Sequence, residues 1–377
     1  MSVRIEATGT ALPAHAYERA EVLDVMRRWV GGERRTDRLL ERVYAASGID
    51  RRWSVLDDLR PARCGTLYLD DAGAFRSPGT GERNDRYIAE APPLAERAAR
   101  VALGRLPGFE ADAITQLITV SCTGFHAPGT DDHLVRALGL SPSTERYHLG
   151  FMGCYAAFPA LRMANAFCRA DPDAVVLIVC VELCTLHLAP TREVDSILST
   201  SVFADGAAAA VVSARDLRGE QLPLELLATS SALTVDGRQD MAWTIGDHGF
   251  DMVLTSYVPR VLEAEIATAL APLLECAGVT QDEVARWAVH PGGRAILDKV
   301  AIGLGLDRCA LAASRDVLAD AGNMSSATVL FVLERLTTSP GQGGAWSSDR
   351  RAEVGELIAS FAFGPGLTVD SAIFKVG

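Results

Sequence analysis

The sequence predicts an α/β protein built of two similar halves, each with β-strands buried between helices. Three observations predict it. Uncharged runs rich in β-branched residues, such as residues 174–181, alternate with helical stretches from residue 113 onward, which is how strands covered on both faces read. A polar side chain recurs at a helix start, Gly153-Cys154 in the first half and Gly322-Asn323 in the second. A glycine hairpin also recurs, around Asp205-Gly206 and around Gly364-Pro365-Gly366. These features place the halves at residues 1–216 and 217–377.

Composition allows such a core. Of 377 residues, 49% are hydrophobic and only 22% charged, so global disorder is excluded. The formal net charge of −12 argues against a nucleic-acid footprint. Eight cysteines lack the CxxC spacing of a zinc site, and no metal is expected. Arg4 and Glu6 interrupt the first apolar residues, so no secretory signal is read, and reduced thiols in a cytoplasm are expected. The longest apolar run, residues 174–181, is too short to cross a bilayer.

The elements follow in order. Residues 3–7 alternate as a strand, which Gly9, Ala11 and Pro13 end. Residues 19–30 form a helix with an apolar stripe of Val22, Leu23, Val25, Met26 and Val30, and residues 39–46 form a second, stopped by Ser47-Gly48. Residues 58–88 read as an irregular surface insertion, and residues 89–106 as an alanine-rich helix. Strands are expected at 114–120, 174–181 and 207–213, with a helix at 131–138. In the second half, residues 252–270 read largely as helix and 287–289 as a short strand. Helices follow at 295–304, 314–321 and from 327 to 336. Residues 339–350 are a Gly/Ser-rich loop, and 357–363 and 367–376 are the closing strands.

Three residues carry candidate chemistry. Residues 147–157 run from apolar residues through Gly153 and Cys154 into a small-residue helix. Cys154 is expected in the first helical turn, where free N–H groups and the dipole favour a thiolate nucleophile. The plain alternative is a buried cysteine acting as a small hydrophobe. His290 opens His-Pro-Gly-Gly between a short strand and a helix. It titrates near neutrality, so it can hold a thiolate and return a proton, although a lone histidine is commonly a hydrogen-bonded core residue. Asn323 reads as a helix cap or as a neutral donor to a developing oxyanion.

The frames Gly-Phe-Met-Gly-Cys, His-Pro-Gly-Gly, Gly-Asn-Met-Ser-Ser-Ala and Phe-Gly-Pro-Gly stand at matching intervals. Together they resemble the type III polyketide synthases, the chalcone-synthase-like branch of the thiolase fold, over nearly the whole chain. The resemblance implies a five-layered αβαβα arrangement of duplicated halves and a homodimer. It implies an acyltransferase in which Cys154 takes an acyl group from coenzyme A. Malonyl-CoA then loses CO2 and its carbanion attacks the acyl thioester, while His290 and Asn323 bind the carbonyl oxygen that gains enolate character. The substrates are CoA thioesters and no cofactor is implied.

The resemblance also carries over a gate, Phe203, with Met252 at the second gate position. Cavity positions are Cys122, Thr123, Cys184, His187, Trp243 and Ser325, closed by Gly364, Pro365 and Gly366. Arg42 and Arg294 are the expected CoA contacts. Cys122, Cys184 and His187 stand where plant relatives place threonines, and residues 181–187 look more like bacterial and fungal members making alkylpyrones or alkylresorcinols. A ketoacyl-ACP synthase III-like enzyme shares the same three residue types but usually carries another tetrapeptide at the histidine. An acyl-CoA thiol hydrolase and a non-catalytic dimeric scaffold are the readings from other classes.

Overall fold

The computed structural model describes residues 2–60, 63–189, 192, 194–338 and 351–377. The Gly/Ser-rich loop expected at 339–350 lies outside the described residues. The first half begins with β1 (Arg4–Ala11), β2 (His15–Glu18), α1 (Arg19–Val30), α2 (Arg34–Ala46), β3 (Arg51–Ser54) and α3 (Thr80–Gly104). It continues through β4 (Gln116–Ser121), α4 (Thr130–Leu138), β5 (Glu145–Gly150), α5 (Ala157–Ala170), β6 (Val175–Leu183), α6 (Val194–Val202) and β7 (Asp205–Ser213). The second runs β8 (Leu224–Leu233), β9 (Met241–Gly246), β10 (Gly249–Leu254), α7 (Val258–Ala277), β11 (Val284–Val289) and α8 (Arg294–Gly303). It closes with α9 (Ala312–Ala321), α10 (Thr328–Thr337), β12 (Leu357–Gly364) and β13 (Thr368–Val376).

Among the described residues, nine strands form one hydrogen-bonded sheet in the order β11-β12-β13-β8-β1-β7-β6-β4-β5. Outward from its centre the two wings repeat one pattern. β1 pairs antiparallel with β7, β7 antiparallel with β6, and β6 parallel with β4. β8 pairs antiparallel with β13, β13 antiparallel with β12, and β12 parallel with β11. The wings meet only through the pairs Arg4↔Glu225 and Ile5↔Leu224. Such a short junction lets strong twist fold one wing over the other.

Helix contacts show the layering. α3 packs on β1, β6 and β7, and α7 on β8 and β13. α5 touches β6 and β7 but also β8 and β13, and α10 touches β1 and β7 but also β11 and β12. Both helices are therefore sandwiched between the wings, giving helix, sheet, helix, sheet, helix. α10 is buried nearly all round, and α5 turns the small, uncharged face of Ala157, Ala160 and Ala164 to the interior.

The structure corrects several sequence expectations. α3 starts at Thr80, so residues 80–88 are helix rather than insertion. Its buried residues Arg83, Tyr87 and Ala91 recur every fourth position, a stripe that the polar residues between them mask. Residues 252–254 belong to β10, not to a helix; Phe250, Met252 and Leu254 alternate against Ile245, Trp243 and Met241 of β9. β1 runs on through Gly9 to Ala11. There α3 presses its backbone onto the strand, and a Cβ at Gly9 would fall on the backbone of Ala98 and Ala102.

We predict that Gly9→Ala, by forcing α3 off β1, lowers unfolding free energy by about 1–3 kcal/mol. Urea denaturation followed by circular dichroism measures it; an unchanged midpoint would show that the two elements can separate freely.

Candidate active site

Cys154 follows β5 through a tight reversal. Phe151 has φ +61° and Gly153 φ +87°. A Cβ at Gly153 would strike the Pro365 ring, so the cysteine loop and the Gly364-Pro365-Gly366 turn close on each other. Cys154 lies in the turn just ahead of α5, which begins at Ala157, rather than within its first helical turn. The N–H of Ala156 donates to Gly153 O at 3.1 Å to form that turn.

His290 ends the run after β11, where its own N–H donates to Phe361 O at 2.8 Å. Its ring is 1% exposed, and neither Nδ1 nor Nε2 has a hydrogen-bond partner. Buried imidazole nitrogens that meet no other protein group are uncommon. Asn323 is held through its backbone: its N–H donates to Val202 O at 2.9 Å, and its O accepts from Ala204 N at 2.8 Å. Its Oδ1 accepts from Ser325 N at 2.9 Å, which turns Nδ2 toward Gly292 O at 3.4 Å and toward the Cys154 sulfur.

All three line one cavity, whose exposed wall is almost wholly apolar. It also takes in Cys122, Thr123, Cys184, Phe203, Trp243, Met252, Ser325 and Pro365 from the expected set. A second cavity shares Leu254, Gly292 and Ile296 with it and opens between α2, α6 and the start of α8, past Val43, Ser201 and Arg294. Val202 lines this second cavity and its neighbour Phe203 the first.

Other expected residues fall elsewhere. Arg42 is exposed on α2 and lines neither cavity, because that face of the helix turns to solvent. Gly364 and Gly366 lie behind Pro365; Gly364 packs on Tyr155. His187 does not line the cavity. Its Nε2–H donates to Thr123 O at 2.8 Å, its Nδ1 accepts from Phe250 N at 3.0 Å, and its ring stacks on Phe250 at 4.1 Å. Burial holds this ring neutral, with its pKa down at about 3.

Sequence reasoning missed the hairpin of β9 and β10, which contributes Met241 and Leu254 as well as Trp243 and Met252 to the wall. It also missed Glu182, the one charged residue in β6 and fully buried. Its carboxylate accepts from Cys122 N at 3.0 Å, Cys122 Sγ at 3.1 Å, Thr123 Oγ1 at 3.0 Å and Ser326 Oγ at 2.5 Å. Burial raises its pKa while these donors lower it. A lone acid in an apolar strand was the available signal.

Burial also bears on the charge states of Cys154 and His290. Taken alone, the Cys154 thiol is pushed up to about 12 by burial, with Ser325 and Asn323 pulling it back, and His290 is pushed down to about 3 by burial. Either charge by itself is disfavoured in a dry site. A thiolate beside an imidazolium is net neutral, so moving the proton between them avoids part of that cost. A neighbouring cation lowers a thiol pKa; removing it must therefore move thiolate formation to higher pH. We predict that His290→Ala shifts the pH profile of Cys154 alkylation by iodoacetamide to the alkaline side. The rate near pH 7 should fall by about tenfold or more, the factor that one pKa unit represents. Superimposable profiles would remove His290 from this role.

Residues 2–216 match the family model for chalcone and stilbene synthases, N-terminal domain, and residues 225–376 that for the C-terminal domain. Among solved structures, the chain is similar to PKS-I from the brown alga Ectocarpus siliculosus at 29% identity and TM-score 0.87, covering 100% of this chain and 98% of that one. It is similar to the C-terminal type III polyketide synthase domain of Steely1, a type I/III hybrid from Dictyostelium, at 27% identity and TM-score 0.88, covering 100% and 99%. A fungal type III polyketide synthase, ORAS, shares the fold at 24% identity and TM-score 0.84, covering 100% of both chains.

Proposed function

Since the chain belongs to the chalcone and stilbene synthase family and is thereby a type III polyketide synthase, an acyltransferase using malonyl-CoA, we propose the following course for its reaction. An acyl-CoA enters between α2, α6 and α8 and its thioester is attacked by Cys154; the C–S bond to coenzyme A breaks and CoA thiol leaves with a proton. Malonyl-CoA then loses CO2, and the electron pair left behind forms an enolate on its thioester. That carbon attacks the acyl-Cys154 carbonyl, the bond to Cys154 breaks, and a β-ketoacyl-CoA extended by two carbons results. Repetition and ring closure give an alkylpyrone, an alkylresorcinol or a related small aromatic or pyrone.

The observation that carries this reading is the orphaned imidazole of His290 together with the Asn323 carboxamide, both buried in the cavity that holds Cys154. Decarboxylation moves negative charge onto the thioester oxygen. Neutral donors in a dry site stabilise that charge more than they stabilise the substrate. A carboxylate at Asn323 would oppose it. Loss of CO2 makes the nucleophile, so no general base is required at that step. The apolar wall excludes water that would hydrolyse the acyl thioester. Arg294, exposed at the mouth, is the cation suited to the phosphates of CoA. The repeated strand pattern supports a division at residues 1–216 and 217–377, and the family relationship supports a homodimer. No helix among the described residues is long and apolar enough to cross a membrane.

Incubation with malonyl-CoA and a panel of acyl-CoA starters, without carrier protein, tests the reading. Mass spectrometry should find pyrone or resorcinol products; free acid without CO2 release would point instead to a thiol hydrolase. Cys154→Ala should abolish acyl loading with the fold intact. Asn323→Asp should lower kcat by about 10²–10³, the effect of losing an oxyanion donor, and a rate of CO2 release equal to wild type would exclude the role.

A further inference from the structure

Arg52 of β3 is 2% exposed, and among the described residues no carboxylate pairs with it. Its Nη2 donates to Ser201 O at 2.6 Å, and its Cζ lies 5.9 Å from the centroid of the Tyr44 ring. It lines neither cavity. A buried cation without an acid partner is costly, so its surroundings must favour the charge. Ser201 stands one residue before the end of α6. There the last carbonyls of a helix are left over and the dipole attracts positive charge.

The last two carbonyls of α6 are thus both held from outside the helix. Ser201 O accepts from Arg52, and Val202 O accepts from the Asn323 N–H at 2.9 Å. The hydroxyls of the same turn bond back into the helix instead, Ser199 to Ser196 O, Thr200 to Ile197 O and Ser201 to Leu198 O. Beyond Val202 the chain runs directly into Phe203, which bridges Asn323. The Asn323 side is equally tight. Trp53, next to Arg52, donates its Nε1–H to Asp320 O of α9 at 3.0 Å. A Cβ at Gly322 would come within 2.9 Å of the Ala204 methyl. Segments packed this closely pass a shift at Ser201 on to Asn323.

We infer that Arg52 is a positioning residue for the reaction: by holding Ser201 O it fixes the end of α6, and through the bond between Val202 and Asn323 it sets the Asn323 carboxamide toward the Cys154 sulfur. The guanidinium is planar and always charged, so the turn cannot unwind without leaving a buried cation unmet. The placement of the carboxamide is legible at the sulfur without any substrate. Burial raises the Cys154 thiol pKa, and Ser325 and the Asn323 carboxamide pull it back. A displaced carboxamide must therefore raise it further. The effect on decarboxylation rests on the polyketide reading above; the placement does not.

The test uses the full chain as wild type, Arg52→Met, Arg52→Lys, Asn323→Ala, and Asn323→Ala combined with each Arg52 variant. The pH profile of iodoacetamide alkylation is read at the Cys154 peptide by mass mapping. CO2 release from malonyl-CoA is measured alongside. Arg52→Met should move the alkylation profile to higher pH, in the direction of Asn323→Ala and by no more than it. CO2 release should fall by roughly tenfold to a hundredfold, as expected for a misplaced oxyanion donor. Arg52→Lys keeps a cation and should lie between wild type and Arg52→Met. In the Asn323→Ala background neither Arg52 variant should shift the profile further, and the lysine pair keeps the test decisive if the methionine variant misfolds. An unshifted profile in both Arg52 variants would overturn the inference. So would a shift that adds in full to that of Asn323→Ala, since a long-range effect of the charge would be additive. A non-additive shift with no CO2 release in wild type would uphold the placement and overturn the polyketide reading instead.

Discussion

The backbone bonds between Asn323 and the segment Val202–Ala204 hold the site together. One strand-like exchange, Asn323 N to Val202 O and Ala204 N to Asn323 O, fastens the segment between α9 and α10 to the end of α6. It sets the carboxamide and Phe203 side by side at the mouth of the cavity, although they come from opposite halves of the chain. A peptide hydrogen bond in a site this dry has no water to exchange with, so opening it would leave buried donors and acceptors unmet. The position of the Asn323 carboxamide is thus governed by main chain and not by a flexible side chain.

Around that clasp the polar groups divide into two kinds. Glu182 and Asp205 are buried acids whose oxygens are met by backbone and hydroxyl donors, and they fix the loops after β4 and β6. The His290 ring nitrogens are left unmet, and His290 lines the cavity with Asn323. Folding tolerates such groups only where the surrounding structure over-determines them. Here the over-determination comes from the central layer, where α5 and α10 are gripped by both wings of the sheet.

The hairpin of β9 and β10 follows a different logic. It belongs to neither wing and packs its inner face over the cavity through Met241, Trp243, Met252 and Leu254. The wings can keep one reaction geometry while this small sheet changes the shape of the space. Cavity shape and reaction chemistry are therefore carried by separable parts of the fold.

Much of this was legible beforehand, and for physical reasons. Buried strands need uncharged runs, so β4, β6, β7 and β12 stood out; sharp reversals need glycine, so Gly153 and Gly364-Pro365-Gly366 marked the turns at the site. The motif frames marked Cys154, His290 and Asn323, which the fold brings into one cavity. What stayed illegible depends on neighbours far along the chain. The start of α3 was hidden because its buried face carries Arg83, which is satisfied only by Tyr68, Leu186 and Leu188. Nothing local told that His187 turns away from the cavity, since its two partners, Thr123 and Phe250, lie on separate elements. Local pattern determined the elements and the reactive residue types, because periodicity and turn chemistry act over a few residues. The shape and dryness of the pocket, and the orphaned state of its imidazole, were decided by tertiary structure alone, because burial is a property of the whole packed chain.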